Sequence, residues 1–340
     1  MPVQLQREGD RVWLEGVTLW SPRERQSSVH AAQEATLLAL GEEVDYDELL
    51  GVSGLAFRMQ LSREGLCPSS THAFCGYPCA ERAVESLPWH VRLLECKPDE
   101  ADRVREIRRA VTESIDRGVP VQYGGEEDGL IIGYREGTEE WICLHPIHGR
   151  DGRPFVERAW PWGFAIYTGR KEAPPDRRRL AREALRQAVT MATAGEAGGY
   201  VVGFDAWDAY IARLRGLDAA ADVARSAAVL GNAWIYECLA RHRGSAARYL
   251  RGIAGGFAPA AAASLLRAAD AYEEIAGPIL GAPDGGTAAV APYPWMLAAP
   301  GAWDRELRER QAQRLERALP VERAAIDALR SALDSAGASP

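Results

Sequence analysis

The chain has 340 residues, of which 47% are apolar and 26% are charged, and this ordinary globular composition suits two domains better than a single core. Its formal net charge of −8 argues against general nucleic-acid binding, which needs a basic surface. The charge weakly favours a cationic partner, although solubility alone is the simpler explanation. The amino-terminal residues contain no apolar signal segment, and no stretch approaches the roughly 18 apolar residues of a membrane span. We therefore expect a cytoplasmic protein that binds neither nucleic acid nor membrane.

The first predicted helix is the stretch SSVHAAQEATLLALG at residues 27–41, which follows a strand-like segment at 11–19. Ser27 or Ser28 can cap this helix, because a serine oxygen accepts hydrogen bonds from the free N–H groups of the first turn. The residues with the spacing of a buried face are Ala31, Ala35, Leu37 and Leu38.

The segments up to about residue 170 predict further short helices and then a meander of strands. The best-defined element is an amphipathic helix at 99–118, with an apolar face and a glycine at its end. The other predicted helices are 46–50 and 81–88, and the other predicted strands are 90–96, 119–123, 129–134, 140–144 and 162–167. Together these segments predict an α+β domain over residues 1–170.

A polar linker with paired prolines at 168–178 separates this domain from a second one, residues 178–340. Every element of the second domain is predicted to be helical: 178–195, 203–216, 218–242, 244–256, 258–278, 303–318 and 320–336. The helix at 303–318 is highly charged, with a thin stripe of Leu307, Gln311 and Leu315. Such a stripe is typical of a helix that packs along another helix, and a homodimer is one way to provide it.

The order of elements over residues 1–170, a capped helix, a helical segment and a meander with the turn Gly133-Tyr134, resembles papain-like cysteine peptidases of the bacterial C39-like branch. It is similar in particular to the N-terminal domain of the butirosin biosynthesis acyltransferase family. The stretches 198–214 and 247–254 resemble the helical second part of that family. The resemblance implies a papain-like α+β domain followed by an all-α domain. It also implies acyl transfer from an acyl carrier protein to a small-molecule amine, or cleavage of a peptide, with no metal or other cofactor.

The family's nucleophilic cysteine stands at a helix start, where free N–H groups and the helix dipole lower the pKa of the thiol. The matching position here carries Ser28. The family's histidine position carries Asp128 or Gly129, and its Asp-Pro position carries His145-Pro146. The resemblance therefore assigns the site to Ser28, Asp128 and His145, but with altered chemistry at each position.

Two hypotheses follow from these departures. In the first, the domain is a catalytically inert module that binds a small molecule or a peptide, because a serine without a base is a poor nucleophile. In the second, the triad is rebuilt with Ser28 as nucleophile, His145 as base and Asp128 as orienting group. A hydrogen bond between Ser28 and His145 distinguishes the two. His30 points away from Ser28 around the helix, and we expect it at the surface or partly buried.

Three adjacent carboxylates, Glu126, Glu127 and Asp128, lie in the predicted turn before the central strand. The ammonium groups of an aminoglycoside or a polyamine could bind them. A hairpin turn that stays in contact with water is the simpler interpretation.

Four potential zinc ligands, Cys67, His72, Cys75 and Cys79, occur close together in the sequence. Their spacing lacks the paired CxxC pattern that makes a zinc prediction strong, so we favour loop and core cysteines that stay reduced in the cytosol. Cys75 precedes a glycine and is the candidate for a redox-active cysteine.

Overall fold

A computed structural model of the chain describes residues 3–147, 152–217, 222–281, 286–292, 294 and 303–337. The fold is mixed α+β, as predicted. The chain forms two compact units, Met1–Leu49 with Leu87–Pro175 and Leu50–Ser86 with Asp176–Pro340. The predicted domains, residues 1–170 and 178–340, differ from these units at residues 50–86. This segment joins the second unit because a strand at Gln60–Ser62 pairs with a strand of that unit.

The elements are numbered in chain order. The strands are β1 (Gln4–Glu8), β2 (Arg11–Glu15), β3 (Gln60–Ser62), β4 (Trp89–Leu94), β5 (Val121–Gly124), β6 (Gly129–Arg135), β7 (Trp141–Leu144), β8 (Phe155–Glu157), β9 (Gly163–Arg170), β10 (Gly195–Ala197) and β11 (Tyr200–Val202). The helices are α1 (Ser28–Ala39), α2 (Tyr46–Val52), α3 (Ala80–Ser86), α4 (Ala101–Asp116), α5 (Arg177–Ala192), α6 (Phe204–Gly216), α7 (Asp222–Ala254), α8 (Pro259–Glu274) and α9 (Arg305–Gly337).

An antiparallel sheet organises the first unit. Its strand order is β1-β2-β6-β5-β9-β4, and β7 pairs with both β6 and β8. The first half of β6 pairs with β5 and its second half with β2, while β7 pairs along the same strand. Gly133 stands in β6 where the register to β7 shifts, and a Cβ there would lie 2.3 Å from the carbonyl oxygen of Val12. Only glycine allows β2 to approach β6 this closely.

Two helices cover this sheet. The predicted helix at 99–118 is confirmed as α4, which buries Ile107, Val111 and Ile115 and packs on β2, β5, β6 and β9. The predicted helix at 27–41 is confirmed as α1, which packs on β5 and β6. Leu37 of α1 is fully buried, whereas Leu38 is exposed, so the predicted apolar face is narrower than expected. This packing brings the start of α1 against the turn between β5 and β6.

The second unit is not all helical, and that part of the prediction is wrong. Strands β10 and β11 form a hairpin that pairs with β3 in a three-stranded sheet. The hairpin turn contains Gly198 and Gly199, both with positive φ, which glycine adopts without a steric cost. The segment Tyr200-Val201-Val202 that follows has aromatic and β-branched residues, which favour a strand.

Two helices of the second unit, α7 and α9, are each longer than predicted. Helix α7 continues through the predicted break at residue 243, and α9 continues through Pro320. Arg243 of α7 is fully buried and forms a bidentate ion pair with Glu322 of α9, with both N–O distances 2.8 Å. Gln311 of α9 is fully buried and hydrogen-bonds Tyr210 and Asn232. The stripe on α9 that contains Gln311 therefore packs against other helices of this chain, including α6 and α8. None of the helices in the described ranges combines the length and the apolar composition that a membrane span needs.

Candidate functional site

The candidate site lies in the first unit, at the start of α1. Ser27 is the N-cap residue and Ser28 is the first residue of the helix. The main-chain N–H of Ser27 donates to the hydroxyl of Tyr46 at 2.9 Å, and the main-chain N–H of Tyr46 donates to Glu34 at 3.1 Å. Arg25 donates to the same carboxylate at 2.8 Å. These side chains fix the position of the helix start relative to the segment that follows α1.

Ser28 is buried and bonded to the turn that leads into β6. Its Oγ accepts a hydrogen bond of 2.9 Å from the main-chain N–H of Asp128. The side chain of Asp128 is also buried and accepts a hydrogen bond of 2.5 Å from Gln122 of β5. Gln122 donates as well to the carbonyl oxygen of Val29 at 3.3 Å. The positions that the resemblance assigns to nucleophile and histidine are therefore neighbours, with serine and aspartate in those places.

His145 is buried directly after β7, and both of its ring nitrogens have main-chain neighbours. The N–H of Ile147 donates to Nδ1 at 3.1 Å, so Nδ1 is the unprotonated nitrogen. Nε2 then carries the proton and donates to the carbonyl oxygen of Glu127 at 3.3 Å. The ring is held in one orientation by the main chain on both sides.

Ser28 and His145 contact the two ends of a single peptide group. Ser28 accepts from the N–H of Asp128, and His145 donates to the carbonyl oxygen of Glu127, the other half of the same peptide. In a trans peptide these two groups point in opposite directions. The three predicted residues are thus brought to one turn, but the described side-chain hydrogen bonds of Ser28 include none with His145. A triad needs that bond, and the catalytic roles of these residues stay a prediction.

A different serine and histidine do pair at this helix start. The Oγ of Ser27 lies 2.7 Å from Nδ1 of His30, and both residues are buried. His30 has no exposed surface at all, so the expectation of a surface or partly buried ring is wrong. The spacing of three residues places both side chains on the first turn of α1, which is the signal that the sequence offered for this pair.

Two buried side chains near His145, those of Tyr123 and Cys143, keep their protons near neutral pH. Burial, together with the nearby Cys143, Glu157 and Asp128, raises the pKa of Tyr123 far above its usual range, and its ring centroid lies 6.1 Å from that of His145. Burial likewise raises the pKa of Cys143. Neither group offers an anion for catalysis near neutral pH.

The loop before α1 also contains a buried glutamine, Gln26. Its amide nitrogen donates to the carbonyl oxygen of Arg23 at 2.6 Å, and the side chain is buried. This amide stabilises the loop before α1. Within the described residues, no group of three or more His, Cys, Asp or Glu side chains is arranged to hold a metal ion.

No protein-family model matches the chain, and a search of curated proteins gives no match either. The resemblance to the C39-like group therefore stays a prediction.

Proposed function

We propose that the chain is a degenerate member of the butirosin biosynthesis acyltransferase-like, C39-like group, with a papain-like first unit. That unit binds a small amine or a peptide at the start of α1 and does not transfer an acyl group through Ser28. The observation that carries the proposal is the shared peptide group, because Ser28 and His145 each bond to its opposite ends. A serine hydroxyl barely ionises near neutral pH without a base, so Ser28 lacks the activation that a nucleophile needs.

The charge around this turn supports an amine ligand. Glu126 is exposed and Glu127 is half-buried, and both lie directly before Asp128. A carboxylate cluster of this kind attracts ammonium groups, and the net charge of −8 adds a long-range attraction in the same direction. The amine substrate class implied by the resemblance fits this electrostatic environment.

Calorimetric titration of the full chain with a polyamine or an aminoglycoside tests the proposal. Asp128→Asn removes one charge while keeping the main-chain N–H and an oxygen that can accept from Gln122. We expect this variant to bind the amine up to roughly fivefold more weakly, since neighbouring charge interactions are typically worth up to about 1 kcal/mol. The matched control is Glu95→Gln, which removes one charge from an exposed residue of the same unit and should change affinity little. Equal affinity in Asp128→Asn and wild type would exclude the Asp128 carboxylate from the amine site.

Turnover distinguishes a binding module from an enzyme. The wild-type chain is incubated with an acyl thioester and the same amine, and amide formation is followed by mass spectrometry. We expect no turnover above the uncatalysed rate. Amide formation that is lost in Ser28→Ala would show that the triad forms after all.

The Ser27–His30 pair supports a second candidate, acyl transfer through Ser27. In this reaction His30 takes the Ser27 proton as Oγ attacks the thioester carbonyl, and the thiol leaves with that proton. The amine nitrogen then attacks the acyl carbon, the bond from that carbon to Ser27 Oγ breaks, and His30 transfers the proton lost by the amine to Oγ. The 2.7 Å separation meets the geometric requirement for a nucleophile and its base. Turnover that survives Ser28→Ala and is lost in both Ser27→Ala and His30→Gln would support this candidate, provided both variants keep the wild-type melting temperature.

A further inference from the structure

Helix α5 of the second unit carries a row of exposed arginines. Arg178, Arg182 and Arg186 follow one another at intervals of four residues, and all three side chains are exposed. Residues four apart on a helix lie on the same face. The three side chains therefore form one stripe about 12 Å long, the α5 arginine stripe.

The stripe has no partner within the part of the chain that the structure describes. None of the three guanidinium groups takes part there in an ion pair or a side-chain hydrogen bond. The carboxylate of the N-cap residue Asp176 accepts instead from the main-chain N–H groups of Arg178 and Arg179, at 3.0 Å each. The positive charge of the stripe therefore faces the solvent.

The neighbouring face of the same helix is neutralised by carboxylates. Arg179 pairs with Glu183, four residues further on, at 2.8 Å and with Glu85 at 3.2 Å. Glu183 also pairs with Arg82 at 3.0 Å. Exposed arginines on other helices of this unit are paired in the same way: Arg215 with Glu309 and Glu316, and Arg251 with Asp270 and Glu273. The arginine-rich composition of the chain alone therefore does not explain an unpaired stripe.

The stripe lowers the stability of the helix that carries it. Like charges four residues apart repel each other, and the stripe contains two such pairs, Arg178 with Arg182 and Arg182 with Arg186. Arg178 also stands in the first turn of α5, which contains no acidic residue and where the helix dipole is positive. Residues that oppose local stability in this way are expected where a function requires them.

We propose that the α5 arginine stripe is the docking surface for an acidic helix of a partner protein. A helix with carboxylates at intervals of four residues presents them about 6 Å apart, which is the spacing along the stripe. Each planar guanidinium can bind one carboxylate through two hydrogen bonds. The stripe lies within the second unit, and the proposal is independent of the function proposed for the first unit.

A protein helix fits three arginines better than other anionic partners do. Nucleic-acid binding proteins commonly make about six to ten phosphate contacts, and the net charge of −8 opposes such binding. Helices that bind a membrane surface expose aromatic or leucine side chains, whereas Leu180 and Leu185 of α5 are both buried. A second copy of the chain is disfavoured too, because carboxylates of its other helices, such as Glu273 and Glu309, already pair with its own arginines.

The test titrates the full chain into a fluorescent helical peptide of about 20 residues, with glutamates at four-residue intervals on one face, and follows anisotropy. We expect saturable binding that weakens as salt is added, because the ion pairs are exposed. Arg182→Gln should weaken binding roughly twofold to fivefold. Its melting temperature should not fall, because the substitution removes repulsion. The matched control is Arg317→Gln, which removes one charge from an exposed arginine of α9 in the same unit and should leave the affinity unchanged.

Charge reversal tests whether the arginine and the glutamate meet. Arg182→Glu should bind a peptide whose central glutamate is replaced by lysine more tightly than the original peptide, the reverse of the wild-type preference. Four results would overturn the proposal. They are no binding at low salt, equal affinity for a peptide with its glutamates scattered around the helix, equal weakening by Arg317→Gln, and tighter binding to double-stranded DNA or to vesicles of phosphatidylcholine and phosphatidylserine.

Discussion

His145 in the first unit and His72 in the second show that a histidine side chain has different roles in different surroundings. His145 in the first unit is buried, and its two ring nitrogens are bonded to the main chain at Ile147 and Glu127. His72 in the second unit is half-exposed, and its ring lowers the pKa of the neighbouring thiol of Cys75. The first histidine closes a turn, whereas the second lowers the pKa of another side chain.

The difference shows why residue type alone does not identify a catalytic site. A group whose hydrogen-bonding capacity is used by buried main chain stabilises the fold, and removing it should lower stability without changing chemistry. A group that bonds to an accessible side chain should change reactivity with little effect on stability. Removing a buried group should therefore lower the free energy of unfolding. The loss should be largest for a fully buried charge and smallest for a partly exposed one.

The largest effect is expected at the buried ion pair of Arg243 and Glu322. Arg243→Ala leaves the Glu322 carboxylate buried without its partner, and such a loss typically costs about 3–5 kcal/mol. The rings of Trp207 and Tyr272, which lie against the Arg243 guanidinium, carry no positive charge that could pair with Glu322 in its place. Urea unfolding followed by circular dichroism measures the change.

The control for this variant removes both charges together. Arg243→Met with Glu322→Leu keeps side-chain volume and leaves no buried charge, so it should be less destabilised than Arg243→Ala. A double variant that is less stable than the single one would mean that the pair itself, rather than the cost of an uncompensated charge, dominates.

The next effect is expected at Ser28. Ser28→Ala leaves the main-chain N–H of Asp128 buried without its acceptor, which typically costs about 1–3 kcal/mol. Ser28→Cys introduces the residue that the family resembled by the sequence carries at this position and keeps a weak acceptor, so its loss of stability should be smaller. Its thiol should react with iodoacetamide no faster than an ordinary cysteine, because His145 is bonded elsewhere. Fast alkylation of this variant that is lost when His145→Gln is added would show that a base does reach the position.

Much of the fold could be predicted because its signals are local. Helix α4 and the strands of the meander follow from periodicity within short windows, and they lie within about three residues of their predicted bounds. The hairpin β10–β11 was hidden because its strands are three residues long and its third strand comes from residues 60–62, far away in sequence. Pairing over such a distance has no local signal, and the same pairing moved residues 50–86 into the second unit.

The candidate site could be predicted in position but not in bonding. The resemblance assigns Ser28 and Asp128 to the family's nucleophile and histidine positions. In the structure Ser28 Oγ lies 2.9 Å from the main-chain nitrogen of Asp128. Ser28 bonds to the main chain of Asp128 and not to its side chain. This geometry depends on the path of the turn, which the residue types alone do not specify. The pair of Ser27 and His30 could not be predicted with certainty, because a serine at a helix start is explained equally well as a cap.

The smallest effect is expected at Glu183, a partly exposed carboxylate that pairs with Arg82 at 3.0 Å and Arg179 at 2.8 Å. Burial acts to raise the pKa of Glu183, but the hydrogen bonds and charges of the two arginines outweigh it and lower the pKa. A depressed pKa means that the stabilisation is present above the unfolded value of about 4.3 and is lost as the pH falls through the folded value. Glu183→Gln should therefore lower stability by under about 1 kcal/mol at pH 7, and by a smaller amount as the pH falls toward about 3. Melting temperatures of the two proteins at both pH values check this, with Glu64→Gln, at an exposed loop position of the same unit, as the control for net charge. A difference between Glu183→Gln and wild type that persists at the lower pH would mean that packing, not charge, gives Glu183 its role.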